Sequence, residues 1–125
     1  MTIYTSTILP IPSTPYVNLS MDEGFNSTFE VAVTDGTTGL PMNLTGCSVV
    51  MSVCYSSLLS AIFVLSTIAG TIPATDATGI ISVSVPGSNL VGLTGVNLQY
   101  DIVVTDPLLV SLSVLRGILT VNQVA

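Results

Sequence analysis

Between residues 98 and 106 the chain alternates, with Leu98, Tyr100, Ile102 and Val104 on one side and Gln99, Asp101, Val103 and Thr105 on the other. A period of two belongs to a strand with one buried face. Residues 113–121 repeat the pattern: Leu115, Gly117, Leu119 and Val121 share one face, and Val114, Arg116, Ile118 and Thr120 the other. Only a short connection lies between the two runs, which predicts an antiparallel hairpin. A tight turn centred on Leu108 and Leu109 sets Tyr100 opposite Gly117, Ile102 opposite Leu115, and Asp101 opposite Arg116. Tyr100 is then expected to lay its ring over the bare backbone of Gly117. Val103 falls opposite Val114 on the outer face.

The same reading carries along the rest of the chain. Residues 16–21 predict a short strand, and residues 28–33 a second, with Phe29, Val31 and Val33 alternating against Glu30 and Ala32. Asp35-Gly36-Thr37-Thr38-Gly39 is a glycine-rich turn. In residues 47–55, Cys47, Val49, Met51, Val53 and Tyr55 share a face. Residues 61–67 form an unbroken apolar run, helix or strand by period alone, and Ile62, Phe63 and Val64 favour strand. Ile81, Val83 and Val85 alternate with serines until Pro86, and residues 88–95 predict a short helical turn. Seven to eight short strands without a long helix predict an all-β, antiparallel immunoglobulin-like sandwich.

Residues 1–16 stand apart. Pro10, Pro12 and Pro15 favour an extended arm, while Ile3, Tyr4, Ile8, Leu9 and Ile11 make it too apolar for a solvated tail. The arm either lies along a neighbouring subunit or packs as an edge segment on its own domain, residues 17–125.

Composition changes the picture of the surface. Charged residues are 6% of the chain, against about 25% in ordinary soluble proteins. Hydrophobic residues are 49%, and roughly a quarter of the chain is Ser or Thr. The outside must therefore be hydroxyls, amides and apolar groups, a surface that favours association because charge is what normally opposes it. A net charge of −6 with one basic residue excludes nucleic acid as a partner. The longest apolar stretch, residues 58–69, is interrupted by hydroxyl residues and falls short of the ~20 needed to span a bilayer. No basic residue precedes an apolar core at the start, so neither a signal peptide nor a membrane anchor is expected.

The search for chemistry finds little. There is no His, Lys or Trp. Acid–base or nucleophilic catalysis at neutral pH lacks its usual partners, and no enzyme is expected. Asp22-Glu23 and Asp76 form no dense oxygen ladder for calcium. The glycines near Asp35 and Asp76 match no phosphate-loop spacing. No cofactor or metal is expected. Cys47 and Cys54 sit on opposite faces of one strand, separated by about 23 Å of chain, too far for a mutual disulfide.

Several segments together resemble small immunoglobulin-like structural proteins of tailed bacteriophages, including the N-terminal domain of phage baseplate upper proteins. They are Leu40-Pro41-Met42-Asn43-Leu44-Thr45-Gly46-Cys47, Val49-Val50-Met51-Ser52-Val53, residues 77–85, residues 98–106 and residues 115–121. Those relatives usually carry more Arg and Lys in the strand after the Leu-Thr-Gly step, which here is uncharged. The resemblance implies a virion structural protein of the tail, baseplate or fibre-attachment region, made in the host cytoplasm and joined to other virion proteins and to copies of itself. A capsid decoration protein is the alternative. A receptor- or carbohydrate-binding module is disfavoured by seven aromatics and no Trp. The expected contacts are Val103, Val114 and Ile118 on the outer hairpin face, with Ile3, Tyr4, Ile8, Leu9 and Ile11 of the arm.

Overall fold

The computed structural model describes residues 2–8, 15–55 and 61–123, without the side chains of Thr2 and Ile8. Among these residues the chain forms eight strands: β1 (Thr2–Ile8), β2 (Leu19–Asp22), β3 (Ser27–Asp35), β4 (Ser48–Tyr55), β5 (Ala61–Ser66), β6 (Ile80–Val85), β7 (Leu98–Thr105) and β8 (Ser111–Asn122). A single 3-10 turn, Gly87–Leu90, stands where a helical turn was expected. The strands make a β-sandwich of two sheets, ordered β1-β3-β6 and β2-β8-β7-β4-β5.

The alternation read from the sequence is what fills the core. Phe29, Val31 and Val33 of β3 and Ile81, Val83 and Val85 of β6 are buried from the smaller sheet. They meet Val49, Met51 and Val53 of β4, Ile102 and Val104 of β7, and Leu115, Leu119 and Val121 of β8. Leu44, Ile72, Leu90 and Leu93 come from the connections and complete the same cluster. Each fully buried aliphatic side chain stabilises the fold by about 1.5–3 kcal/mol relative to exposure.

The central hairpin has the expected pairs, Tyr100 with Gly117, Asp101 with Arg116, and Ile102 with Leu115, but by another route. The turn is residues 106–110, with Thr105 opposite Ser111, which by itself would set the register one residue off. A bulge in β8 then restores it: Val103 pairs with Ser113, and Val114 is the extra residue. Val114 does not face Val103 and is 0% exposed. The bulge turns Val114 and Leu115 inward in succession, which strict alternation does not foresee.

The N-terminal residues differ from the rest in pairing parallel. Residues 2–8, read as an arm from the prolines that follow them, form β1, an edge strand running parallel to β3. The chain later reaches the other sheet, where β2 runs parallel to β8. None of residues 2–8 is proline, so their amides are free to join a ladder. The N-terminal segment thus closes one edge of each sheet.

Candidate assembly surface

The outward face of the five-stranded sheet carries the chain's one basic residue. The strand registers place one row across it: Val64 of β5 beside Ser52 of β4, then Asp101 of β7, Arg116 of β8 and Tyr16. Arg116 Nη2 lies 3.8 Å from Asp101 Oδ2, with 52% and 40% of the two side chains exposed. Ser113 donates its hydroxyl to Asp101 Oδ1. An exposed pair of this length contributes at most about 0.2–1 kcal/mol. Its effect is to neutralise the one cation, leaving the face without net positive charge. Tyr16, Ser52, Cys54, Gln99, Asp101 and Arg116 line a shallow depression of about 310 Å³ here.

Beneath this row the chain passes close to itself at Gly117. A Cβ on Gly117 would lie 2.0 Å from the carbonyl oxygen of Val17, so only glycine admits the backbone of residues 15–17 against β8. Val17 N donates to Arg116 O at 2.8 Å, and Arg116 N donates to Pro15 O at 3.2 Å. The Tyr100 hydroxyl donates to Val17 O at 2.6 Å. Tyr100 does oppose Gly117, as expected, but the bare backbone of Gly117 receives Val17. Burial, with smaller contributions from Tyr4, Tyr16 and Asp101, pushes the Tyr100 phenol well above its ordinary range. It stays a hydrogen-bond donor throughout the neutral range.

The residues expected to make contacts are spread over different surroundings. Ile118 is outward and 41% exposed, beside Gln99, and Val103 is outward but half-buried. Val114 is in the core. Ile3 is exposed on β1, whereas Tyr4 is half-buried and turns its ring edge to Phe29, with centroids 5.8 Å apart and planes at 75°. Ile8 pairs through its backbone with Asp35. Leu9 and Ile11 lie outside the described residues. Sequence reasoning missed three exposed apolar side chains in the β7–β8 turn, Leu108, Leu109 and Val110, and missed Val64 on β5. Treating residues 106–110 only as a connector hid the run of three apolar residues in it.

Elsewhere several acidic and amide groups serve turns. Asp76 Oδ1 accepts from the Thr78 hydroxyl and amide, and these two bonds hold its carboxyl below the usual range. Asn43 Oδ1 accepts from Thr45 N, and Asn26 Oδ1 from Gly87 N. Burial first, then Asp106, pushes the Cys47 thiol up, so it is a weak nucleophile at neutral pH. Cys47 and Cys54 are both free thiols. Among the described residues no three His, Cys, Asp or Glu side chains gather where they could hold a metal ion. No helix among them is long and apolar enough to cross a membrane.

No family model matches the chain, and no curated protein matches it. Solved structures do match it. One of them is the N-terminal domain of phage TP901-1 ORF48, which is 12% identical, with a TM-score of 0.51 over 98% of this chain and 99% of that chain. At that identity the likeness is one of fold: the two-sheet sandwich, end to end, is an arrangement this chain shares with a domain of a phage protein.

Proposed function

We propose that this chain is a non-enzymatic structural protein of a bacteriophage virion, working by subunit packing in the tail, baseplate or fibre-attachment region. The observation that carries the reading is the outward face of the five-stranded sheet. Its one cation is paired to Asp101, and it exposes Val64, Tyr16 and Ile118 among hydroxyls and amides. A face of this composition gains by being covered, and a stable contact would bury on the order of 800 Å² per partner. The end-to-end likeness to a phage domain supports the setting. The partners would be other virion proteins and copies of this chain, with no nucleic acid or membrane.

The test is incorporation. A phage carrying Val64→Asp with Ile118→Asp should assemble particles depleted of this protein, while the purified variant melts within about 2 °C of wild type. Undiminished incorporation would refute packing through this face. Density for the protein on the capsid shell, in an image of the intact particle, would replace the tail location with the decoration role.

A further inference from the structure

The strand β6 ends the smaller sheet, and its outer edge is open. Its register on β3 is regular over all six residues, without a bulge. Val33 N donates to Gly79 O at 2.7 Å, which sets the phase of the ladder. Ile81, Val83 and Val85 therefore turn their backbone groups to β3, and Ile80, Ser82 and Ser84 turn theirs away. Among the described residues no strand lies beyond β6, and no turn or loop bonds to the backbone of these three. Their N–H and C=O groups form a row of the kind on which another strand adds.

Such edges are normally blunted, and β5 shows how. Ile62 is an extra residue there, set between the pairs Val53–Phe63 and Cys54–Ala61. Ser66 N donates to Thr71 Oγ1 at 2.8 Å, and Ser66 O accepts from Thr71 N and Ile72 N, both at 3.0 Å. The loop that follows β5 thus caps its edge. The strand β6 has neither device, and Ile-Ile-Ser-Val-Ser-Val contains no Lys or Pro to deter a neighbour.

Charge decides what adds there. Glu30 stands opposite Ser82 on the outward face, and the Ser82 hydroxyl donates to Glu30 Oε2 at 3.4 Å. A depression of about 430 Å³ that reaches Ile80 and Ser82 is also lined by Glu30, Asp76, Thr78 and Pro73. The Thr78 hydrogen bonds keep Asp76 ionised. No basic side chain of this chain is available to the two carboxylates, because Arg116, the only one, pairs with Asp101 on the other sheet. Strands lie about 4.8 Å apart, so a residue docked beside Ser82 stands roughly 10 Å from Glu30. A Lys or Arg side chain crosses that gap over the small serine. A second copy of this chain, at net charge −6, brings more carboxylates instead.

We infer that β6 docks an extended segment of a different protein, which adds as a fourth strand and sets a Lys or Arg toward Glu30 and Asp76. This edge is separate from the outward face of the five-stranded sheet, and its role stands whether or not that face is covered.

The experiment selects linear peptides of about ten residues from a random displayed library on the full chain, then titrates the selected peptides against it. In the free protein, amide hydrogen exchange should be fast at Ile80, Ser82 and Ser84 and slow at Ile81, Val83 and Val85. Selected peptides should carry Lys or Arg, bind more weakly as salt rises, and slow exchange at the three outward amides by about tenfold or more. Glu30→Gln with Asp76→Asn, which keeps both side-chain shapes, should weaken binding several-fold. Ser82→Pro removes one outward N–H and no bond to β3, so it should abolish binding while melting stays cooperative. An empty selection, peptides without basic residues, binding unchanged in both variants, or protection outside β6 would each overturn the inference. A concentration-dependent dimer that protects the same amides would replace the foreign strand with a second copy. Should Ser82→Pro fail to fold, the charge variant and the exchange pattern decide the outcome.

Discussion

Gly117→Ala is the substitution whose cost the structure defines most closely. The new methyl carbon would lie 2.0 Å from Val17 O, 2.7 Å from Val17 C and 3.1 Å from Val17 N. All three are backbone atoms, so no side-chain rotation relieves the overlap. Residues 15–17 must lift from β8, and three hydrogen bonds go with them: Val17 N to Arg116 O, Arg116 N to Pro15 O, and the Tyr100 hydroxyl to Val17 O. Each contributes about 0.5–1.5 kcal/mol, and together they predict a loss of about 2–4 kcal/mol. In a domain of this size that corresponds to a melting temperature lower by about 10 °C.

The assay is urea denaturation with a double-mutant cycle against Tyr100→Phe. Tyr100→Phe alone should cost about 1 kcal/mol, since it removes one hydrogen bond and leaves Val17 O without a donor. Added to Gly117→Ala it should cost little more, because Val17 has already moved away. The coupling should therefore be at least about 0.5 kcal/mol. A loss below about 0.5 kcal/mol for Gly117→Ala, or full additivity in the cycle, would refute the close approach of the N-terminal segment to β8.

Further outcomes follow from the same structure. Stability should hold up to about pH 10 and fall above it. The Tyr100 phenol titrates higher folded than unfolded, so the stability it provides is present below the unfolded value and is lost as pH rises. Tyr100→Phe should flatten that fall in a series of urea midpoints. Arg116→Ala should change stability by less than about 1 kcal/mol in chemical denaturation, because its partner is 3.8 Å away and both side chains are exposed. Val114→Asp should unfold the protein or cost more than about 3 kcal/mol, since it places a carboxylate at a fully buried site. Ile118→Asp, four residues along the same strand, should leave the melting curve nearly unchanged.

The strands were legible because each presents one face to the core. Residues 28–33 and 81–85 announce Phe29, Val31, Val33, Ile81, Val83 and Val85 by parity alone, and all six are buried. Where parity breaks, the reading breaks. Val114 is invisible as a core residue because the bulge that turns it inward arises from a mismatch between a turn of residues 106–110 and the register that the sandwich requires. The arm is open in sequence between a neighbouring subunit and an edge of its own domain, and β1 takes the edge of its own sheet. Its prolines begin at residue 10, whereas β1 ends at Ile8, so proline chemistry says nothing about residues 2–8. Parallel pairing of β1 with β3 joins segments about 27 residues apart, and no local pattern encodes such a partner.

The surface was legible only in kind. Few charges and many hydroxyls predict apolar side chains on the exterior, but which of them stand out depends on register and turn geometry. Of the expected contacts on the hairpin, Val103 and Ile118 remain outward, and Val114, the extra residue of the bulge, does not. In the turn, Asp106 Oδ1 accepts from Leu108 N and Val110 N, Asp106 O accepts from Leu109 N, and Leu109 sits at positive φ, a geometry that no sequence pattern announces. Glycine in place of Leu109 would remove the strain, and a polar residue in place of Leu108 would remove exposed apolar area. Leu108→Ser with Leu109→Gly should therefore raise stability by a few tenths of a kcal/mol to about 1 kcal/mol in chemical denaturation. Unchanged stability in that variant would refute the strain assigned to Leu109. A variant that loses stability would show instead that the leucines serve the fold.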